Sequence, residues 1–467
     1  MFMLPLWPAL LLLACSLPGP GMPPPVVVVD SCDVAISGSC AGYNVLLITM
    51  DTWPKFGPIG EDNLTHTPVI AGYFAEGTVV RGRSSAAWTS PSGIALGRGI
   101  AAADDIVTSF MPVVNVPIGH VEDSETTAYE WLSEYGDVRY VTGNTTFLLA
   151  TNAYQLDTYA EYADGALARA AESIVPDPQA LDGKPFFYHL HVGELHDPLR
   201  DYAGVCEARL DPLPQSLADA GGTGMNGLMI YLTVHWANYS TDEQTSILDW
   251  VRCLQSEEAG WVDSIIGGLL TTMDGAGLLD RTLVVFTADH GEGFSTVPAL
   301  VDYDGDGSTA GEHLFGHSNS LSPTITTVPM AFWVHGGEPR ELSTFLDVSQ
   351  VWPTLLDTLG LPIPAAMTAL PLSAADGGIM RGFLCSGETD VGVPLAPSFS
   401  VLDPADDTLY YKHRDLGFQI YDLRADPWGA VDLATTLVVP SAVIDVVTAM
   451  ERDAPTVCVS RGLARAR

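Results

Sequence analysis

Four runs of apolar residues stand out along the chain, and each is followed at once by polar residues. An uninterrupted apolar run of this kind is typical of a strand that is buried on both faces of a parallel sheet. The runs lie within residues 44–51, 183–198, 281–293 and 328–336. Between them, apolar positions recur with helical spacing over residues 159–174 and 241–273, so the pattern predicts helices there.

The alternation of strands and helices predicts an α/β fold with a large, mostly parallel sheet flanked by helices. In such sheets ligands bind beyond the carboxyl ends of the strands, which is where the polar residues of this chain fall. We expect this main domain to span residues 40–385. Residues 409–434 then predict short strands and a turn, and residues 440–452 a last helix. These elements indicate a small α+β C-terminal subdomain over residues 386–467.

The first 22 residues have the character of an export signal that leads into a Pro-rich tether. Their apolar core is shorter than a membrane-spanning helix and is typical of a signal peptide. Its end, Leu12-Leu13-Ala14-Cys15, resembles a bacterial lipobox, in which Cys15 would be lipidated after cleavage. The alternatives are a lipoprotein signal and an ordinary secretory signal. Both predict an exported protein that is periplasmic, attached to the outer membrane or extracellular.

Six cysteines remain when Cys15 is set aside, and an even number in an exported chain suggests disulfide bonds. The simplest pairing joins neighbours in sequence, as Cys32–Cys40, Cys206–Cys253 and Cys385–Cys458. The alternative is that some of these residues are free buried thiols.

The charge balance limits the candidate partners. The chain has 57 acidic and 20 basic residues, which gives a formal net charge of -37 at pH 7. Such a chain is a poor match for nucleic acid, whose binding depends on basic patches. It also repels anionic molecules at long range, so a site for an anion must depend on a local metal ion and on helix dipoles.

Candidate chemistry lies at two strand ends and at one helix start. Asp51 ends the first predicted strand, Asp289 and His290 end a later one, and Thr89 and Ser90 stand at the predicted start of a helix. Asp and His together suit Zn²⁺ or Mn²⁺. A metal between these residues would lower the pKa of a hydroxyl bound to it. The hydroxyl of Thr89 or Ser90 can therefore be a nucleophile, or it can simply cap the helix.

Eight segments, in order along the chain, resemble the sulfatases and their relatives in the alkaline phosphatase superfamily. They are NVLLITMD at 44–51, THTPVIAGYFAEGTVV at 65–80, TSPSGIALGRG at 89–99, LHVGELHDP at 190–198, ADHGEGF at 288–294, GEHLFGHSNSL through VP at 311–329, LDVSQVWPTLLDTLGLPIP at 346–364 and FQIYDLRADP at 418–427. The resemblance covers nearly the whole exported part of the chain. It implies the fold of that family and a metal-dependent cleavage of phosphate, phosphonate or sulfate esters.

The chain departs from the family pattern at positions that bear on the reaction. Thr89 stands where sulfatases carry the Cys or Ser that becomes formylglycine, and Gly93 stands where the recognition signal has Arg. Thr52 replaces a second metal-binding acid, and Asn144 and His317 occupy the places of two lysines. A Thr nucleophile with an Asp-His pair resembles the phosphodiesterase, phosphonate hydrolase and phosphoglycerol-transferase branches of the superfamily.

The resemblance also implies a role for each matched residue. The implied metal ligands are Asp51, Thr89, Asp289 and His290. His196 and His317 would contact the transferred group or complete a second metal site, and His317 would protonate the leaving oxygen. Asn144 would donate a hydrogen bond to a non-bridging oxygen of the substrate. Glu194 and His191 are expected to lie behind these residues, as partners of the ligands.

A separate acidic loop is similar to part of an EF-hand. Asp302, Asp304 and Asp306 occupy its first, third and fifth positions, with Gly307 at the sixth. Glu312 stands one residue short of the position where the bidentate acid is expected. The alternatives are a structural Ca²⁺ site and a solvated acidic loop.

These observations together predict an exported bacterial metal-dependent hydrolase that cleaves phosphate or phosphonate esters, diesters included, or sulfate esters through Thr89. Zn²⁺ or Mn²⁺ is the favoured metal, with Ca²⁺ as the alternative. The alternative functions are a true sulfatase, a phosphoglycerol or phosphoethanolamine transferase, and an inactive surface lipoprotein on the same fold. We expect a monomer that binds a small molecule, glycan or lipid with an anionic ester. Membrane contact is expected only through an N-terminal lipid.

Overall fold

The structure of the protein is a computed structural model. It describes residues 32–57, 61–100, 127–144, 159–162, 166–196, 199, 205–206, 229, 232, 235–299, 312–317, 320–374, 378–384, 398–413, 417–427, 429 and 431–453. Several predicted features lie outside these residues, namely the signal segment 1–22 with Cys15, the Cys385–Cys458 pair, and Asp302, Asp304 and Asp306.

The main sheet is built from strands that the apolar runs predict and from others that they do not. Up to residue 347, the strands are Asn44–Met50 (β1), Thr78–Arg83 (β2), Asp137–Thr142 (β3), Tyr159–Glu161 (β4), Phe186–Val192 (β5), Thr282–Ala288 (β6), Gly293–Ala299 (β7), Glu312–Gly316 (β8), Thr327–Trp333 (β9) and Arg340–Asp347 (β10). All four predicted strands are present, as β1, β5, β6 and β9. The strands β7 and β8 pair with each other in a separate hairpin.

The other eight strands form one sheet in the order β10-β2-β9-β6-β1-β5-β3-β4. Neighbours are parallel except where β9 pairs antiparallel with β2 and β6. This confirms the predicted large, mostly parallel sheet. The strand β1 lies between β5 and β6, and all three are almost entirely buried because helices cover both faces.

The helices of the described residues are Pro68–Glu76 (α1), Thr89–Arg98 (α2), Ala128–Leu132 (α3), Leu167–Ile174 (α4), Thr241–Gly275 (α5), Pro323–Thr326 (α6), Val351–Thr358 (α7) and Ser441–Asp453 (α8). The predicted helix over residues 241–273 is confirmed as α5, which begins with a capping box between Ser240 and Glu243. The predicted helix over residues 159–174 is wrong in its first part. Residues 159–161 pair with β3 at the edge of the sheet instead, because their backbone hydrogen bonds are made across strands there.

A second, antiparallel sheet forms a C-terminal subdomain, as expected, although its first strand precedes residue 386, where the subdomain was expected to begin. Its strands are Met380–Leu384 (β11), Ser398–Asp403 (β12), Thr408–His413 (β13) and Gly417–Asp422 (β14), and α8 follows. Val443 and Val447 of α8 share a buried cluster with Phe399 and Val401 of β12. Ala95 of α2 belongs to the same cluster, so the subdomain packs directly against that helix of the main domain.

Two of the predicted disulfides are present, Cys32–Cys40 and Cys206–Cys253. They are the kind of bond that an oxidising compartment allows. Of the helices that the structure describes, none combines the length and the apolar character that crossing a bilayer requires.

Candidate active site

The carboxyl ends of three neighbouring strands bring the candidate residues together. Asp51 follows β1 and Asp289 follows β6, while His191 lies one residue before the end of β5. Because β1 pairs in parallel with both neighbours, these three side chains meet at one edge of the sheet. All three are buried.

The helix α2 delivers a hydroxyl to the same place. It begins at Thr89, and Trp88, which has an extended backbone, is the residue at its N-cap. The Thr89 Oγ1 donates to Asp51 Oδ1 at 3.3 Å and lies 3.3 Å from His290 Nε2. The hydroxyl of Thr89 therefore faces the two strand ends and does not cap the helix. The prediction of a hydroxyl cap before Pro91 is wrong, because Trp88 takes that position.

Backbone groups orient one of the carboxylates and leave one of its oxygens available. Asp289 Oδ1 accepts from the N–H of His290 at 2.8 Å and from the N–H of Thr52 at 3.3 Å. The second oxygen, Oδ2, is buried and accepts no hydrogen bond from the described residues. A buried carboxylate oxygen without a hydrogen-bond donor is costly unless a cation binds it.

The pKa shifts at the site favour metal binding by its side chains over ion pairs between them. Burial, and next the negative charge of Asp51, raise the pKa of Asp289 well above its ordinary value. Burial lowers the pKa of His290 to about 3 and lowers that of His191 as well. Both imidazoles are therefore neutral near pH 7. Neutral imidazole is the form that binds a metal.

The donor atoms fit a divalent transition metal. One ligand atom each of Asp51, His191 and Asp289 lies within 4.8 Å of the others. His290 Nε2 is 3.6 Å from Asp51 Oδ1 and 3.5 Å from Asp289 Oδ2, so it belongs to the same group. Two carboxylates with imidazole nitrogens suit Zn²⁺ or Mn²⁺. The resemblance implies that His191 lies behind the ligands, whereas in the structure one of its ring nitrogens is close enough to Asp51 and Asp289 to share a metal with them. Its signal in the sequence is the His-Leu-His alternation within a buried strand.

The two other predicted histidines lie beside this group. The ring centroids of His196 and His317 are 4.8 Å apart, and those of His290 and His317 are also 4.8 Å apart. His317 Nδ1 donates to Glu292 Oε2 at 3.2 Å. Glu292 is buried, so this bond fixes the orientation of the His317 ring. Glu292 belongs to the ADHGEGF segment, but the resemblance to the sulfatases implied no role for it.

Of the three remaining residues named from the sequence, the structure describes the side chains of Asn144 and Glu194 but not that of Glu312. Asn144 lies at the site, where its Nδ2 donates to Asp51 Oδ2. Glu194 is buried next to the site and accepts from the hydroxyl of Tyr162 at 2.8 Å, and burial raises its pKa. Glu312 is the first residue of β8, and its side chain lies outside the described part of the structure.

Comparison of the sequence with known families shows which family the chain belongs to. Residues 43–361 match the sulfatase family. The chain is a member of the sulfatase family. The resemblance to the sulfatases is thereby confirmed over residues 43–361, which contain the first six segments and most of the seventh, and the segment at 418–427 lies beyond the match. The matched residues include every residue of the candidate site.

Curated relatives match this sulfatase-family chain over shorter stretches. Arylsulfatase K of Bos taurus is 25% identical over 111 residues, which are 24% of this chain and 18% of that protein. Arylsulfatase K of Rattus norvegicus is 22% identical over 190 residues, 37% of this chain and 30% of that protein. The matched segments thus span less than a third of the length of these relatives.

Solved structures share the fold over most of the chain. A protein solved with its substrate D-glucosamine-2-N,6-O-disulfate (BT4656) is 13% identical, with a TM-score of 0.60, and covers 88% of this chain and 97% of its own. The phosphonate monoester hydrolase of Silicibacter pomeroyi is 15% identical, with a TM-score of 0.59, and covers 88% and 94%. At these identities the likeness establishes the fold of the sulfatase-family domain.

Proposed function

We propose that the chain is a metal-dependent ester hydrolase that transfers a phosphoryl, phosphonyl or sulfuryl group to Thr89 and then to water. The observation that carries this proposal is the position of the Thr89 hydroxyl. It lies at the first residue of a helix, buried, and 3.3 Å from both a carboxylate and an imidazole that belong to a potential metal site. A helix N-terminus favours an anion at this point.

Asp51, Asp289, His290 and His191 would hold the metal. When bound, a divalent cation would lower the pKa of the Thr89 hydroxyl and offset the charge of the anionic ester. The Thr89 hydrogen is directed at Asp51 Oδ1, which leaves the lone pairs of the hydroxyl oxygen for the substrate. Thr89 Oγ1, with its proton released to solvent, would attack phosphorus or sulfur, which forms the bond to Oγ1 and breaks the bond to the leaving alcohol. Attack of water would then break the bond to Oγ1, which takes up a proton again.

His317 and His196 would serve the leaving group. The Glu292 carboxylate accepts from His317 Nδ1, so Nε2 is the ring nitrogen left to the leaving group, and it carries a proton when His317 is protonated. That proton is available to the oxygen of the departing alcohol, and the deprotonated imidazole can then take a proton from the incoming water. His196, whose ring contacts that of His317, would contact the non-bridging oxygens.

The donors around Thr89 favour a singly charged substrate. Thr89 contacts the Asp51 carboxylate and the His290 imidazole, the amide of Asn144 donates to that carboxylate, and no lysine is found among these described contacts. Neutral donors suit a phosphodiester, a phosphonate monoester or a sulfate ester better than a doubly charged phosphate monoester. A sulfate ester is the second candidate, and it is supported by the neighbour that was solved with a disulfated glucosamine.

The purified full-length chain should therefore be assayed with aryl phosphodiesters, phosphonate monoesters, sulfate esters and phosphate monoesters, with Zn²⁺ or Mn²⁺ supplied. We expect turnover of at least one singly charged ester and the weakest turnover of the phosphate monoester. A clear preference for the phosphate monoester would contradict the charge argument. Absence of turnover for all four classes by metal-loaded protein would contradict the proposed activity.

Replacement of Thr89 tests the nucleophile. Thr89→Ala should abolish turnover while the fold and metal binding persist, because only the attacking oxygen is removed. Ser92→Ala is the matched control, since the hydroxyl of Ser92 lies in the same helical turn and contacts Ser84 at 3.1 Å. Full activity of Thr89→Ala would exclude a covalent step at this residue.

We also propose that the chain is exported, in agreement with its two disulfides. Mass spectrometry of the mature protein from a bacterial host would distinguish lipidated Cys15 from cleavage by an ordinary signal peptidase. A mature protein that still begins at Met1 would contradict export. Peptide mapping without reductant would show whether Cys385 and Cys458 pair.

A further inference from the structure

A line of hydrogen bonds runs from the candidate site into the core of the main sheet. His189 and His191 alternate along β5 and share one face, and Thr49 of β1 lies beside them in register with His191. Thr49 Oγ1 is 2.8 Å from His191 Nδ1 and 2.7 Å from His189 Nε2. The Tyr129 hydroxyl is 2.8 Å from His189 Nδ1. His191 Nε2, at the other end of the line, is 3.6 Å from Asp51 Oδ2.

The members of this line are buried almost completely. Thr49, His189 and His191 have no exposed surface, and Tyr129 is 1% exposed. Each ring nitrogen of His189 faces a hydroxyl group, Nε2 that of Thr49 and Nδ1 that of Tyr129, which is the environment of a neutral imidazole. A neutral imidazole carries one proton, on one of its two nitrogens. Four polar side chains in an apolar core are stable only if every one of their bonds is made.

Two proton arrangements satisfy the three hydrogen bonds that join these four side chains, and they differ in whether the Tyr129 hydrogen points away from the line or into it. In the first, His191 Nδ1 donates to Thr49, Thr49 donates to His189 Nε2, and His189 Nδ1 donates to the Tyr129 oxygen. His191 Nε2 then presents a lone pair next to Asp51. In the second arrangement each bond is reversed, and His191 Nε2 carries a hydrogen that faces the Asp51 carboxylate. Because Thr49 has a single hydrogen, the two arrangements do not mix.

We propose that Tyr129, His189 and Thr49 are positioning residues that hold His191 as a metal ligand with its proton on Nδ1. The inference rests on the metal site of the proposed function. A metal at Nε2 requires the lone pair and therefore selects the first arrangement along the whole line. The hydroxyl of Tyr129 is the acceptor that completes it, although two side chains separate Tyr129 from His191.

Metal affinity of the full-length chain tests the assignment. Thr49→Val keeps the shape of the side chain and removes the hydroxyl that joins the two imidazoles. We expect it to raise the dissociation constant for Zn²⁺, measured by competition with a chromophoric chelator, by about 10- to 100-fold. Thr49→Ser should restore tight binding because it restores the hydroxyl. Tyr129→Phe should also weaken binding, because His189 Nδ1–H then has no acceptor.

The neighbouring strand supplies a matched control. Thr287 of β6 lies in register with Thr49 on the other side of β1 and is equally buried, and its hydroxyl donates to the carbonyl of Ala288 at 3.3 Å. Thr287→Val therefore deletes a comparable hydroxyl at the same level of the sheet. We expect it to leave the dissociation constant for Zn²⁺ unchanged. A merely structural role of Thr49 would lower the unfolding temperature in both variants and leave metal affinity intact in both.

The tautomer of His191 gives a second readout. In ¹⁵N-histidine NMR spectra of the Zn²⁺-loaded wild-type chain, the His191 signal, assigned by its loss in His191→Gln, should show a proton on Nδ1. A proton on Nε2 in the loaded protein would overturn the assignment. The wild-type chain gives this readout with Thr49 and Tyr129 in place, and His191→Gln serves only to assign the signal, so it decides the question even if Thr49→Val fails to fold.

The outcomes separate this inference from the proposed function. If the wild-type chain binds Zn²⁺ and folded Thr49→Val and Tyr129→Phe bind it equally tightly, the positioning role is wrong and the metal site stands. If the wild-type chain binds neither Zn²⁺ nor Mn²⁺, the metal-dependent function fails, and the positioning role fails with it.

Discussion

At the residue scale, Thr52 carries backbone strain that serves the site. Its φ of 53° is in the left-handed region, which is unfavourable for a β-branched residue. This conformation aims its N–H at Asp289 Oδ1, while its hydroxyl donates to the carbonyl of Leu195 at 2.7 Å. Such strain costs about 1–3 kcal/mol and persists only where surrounding contacts enforce it. Thr52 thus ties the Asp289 carboxylate to the loop that leads to His196.

Asp51 and Asp289 are buried together. We therefore expect the Asp289 carboxylate to lower the stability of the metal-free protein, although the same carboxylate would bind the metal. Asp289→Asn removes a carboxylate whose pKa is raised by burial and by the charge of Asp51. The metal-free variant should therefore unfold at the same temperature as the metal-free wild type or higher. Zn²⁺ at about 100 times the dissociation constant should stabilise the wild type by about 2.7 kcal/mol and the variant hardly at all. Thermal unfolding with and without the metal measures both effects.

Asp263 provides the control for this experiment. It is also a buried aspartate with a raised pKa, and it accepts from the N–H groups of Val69 and Ile70 at the start of α1. Asp263→Asn should leave the stabilisation by Zn²⁺ intact. An equal stabilisation of Asp289→Asn by Zn²⁺ would exclude Asp289 as a ligand.

At the element scale, α2 is positioned at both of its ends. It begins with the candidate nucleophile and ends at Gly99, whose φ of 63° and N–H bond to Ala95 close the last turn. A Cβ at Gly99 would lie 3.0 Å from Met367 Cγ and from Pro353 Cγ. Gly99→Ala should therefore add steric repulsion to the left-handed strain of about 1–2 kcal/mol.

Gly183→Ala is the control that separates the steric repulsion at Gly99 from the left-handed strain. Gly183 also has a left-handed backbone, with a φ of 77°, and a Cβ there would meet no atom within 4 Å. Chemical denaturation should show a larger loss of the free energy of unfolding for Gly99→Ala than for Gly183→Ala. We also expect only Gly99→Ala to reduce turnover, because it displaces the helix that carries Thr89. Equal losses of the free energy of unfolding in the two variants would show that α2 accommodates the added Cβ without a steric cost.

The sequence predicts those elements that a single segment determines. The four apolar runs become strands, and the long amphipathic stretch becomes α5, because burial alone decides them. Residues 159–161 form an edge strand since pairing with β3 outweighs helical spacing. The line from His191 to Tyr129 depends on the register between β1 and β5 and on the packing of α3, and neither can be read from one segment. The resemblance to sulfatases brought Asp51, Thr89, Asp289 and His290 together; it did not predict that His191 would lie close enough to join them as a proposed ligand.

At the scale of the whole molecule, an ion-pair network joins the main sheet to the C-terminal sheet. Asp407, in the turn between β12 and β13, accepts from Arg81 of β2 and from Arg424. Burial opposes the charge of Asp407, but hydrogen bonds from Arg424 and Arg81 outweigh it, so the pKa of Asp407 lies below its ordinary value. This contribution to stability is complete above about pH 4, the pKa of an unfolded aspartate, and is lost as the pH falls through the lower folded value.

Asp407→Asn tests this connection. The change keeps a residue that tolerates the φ of 60° at this position and removes the charge. We expect the unfolding temperature at pH 7 to fall by a few degrees. The difference from the wild type should narrow below about pH 4, where the native network itself loses its charge. Asp403→Asn, at the end of β12, should change the unfolding temperature less, since Asp403 accepts from the N–H of Ala405 and an asparagine oxygen can keep that bond. A constant difference for Asp407→Asn would mean that charge plays no part.

The buried cluster that contains Ala95, Phe399 and Val401 determines whether the main domain can be separated from the C-terminal sheet. The segment that matches the sulfatase family ends at residue 361, before β11 begins. Phe399 and Val401 nevertheless pack with Ala95 on the helix whose first residue is Thr89. A chain shortened to the matching segment would expose the apolar side of that helix to water and leave the nucleophile on an unsupported element. The smallest working unit of this protein is therefore larger than the family segment by the whole C-terminal sheet.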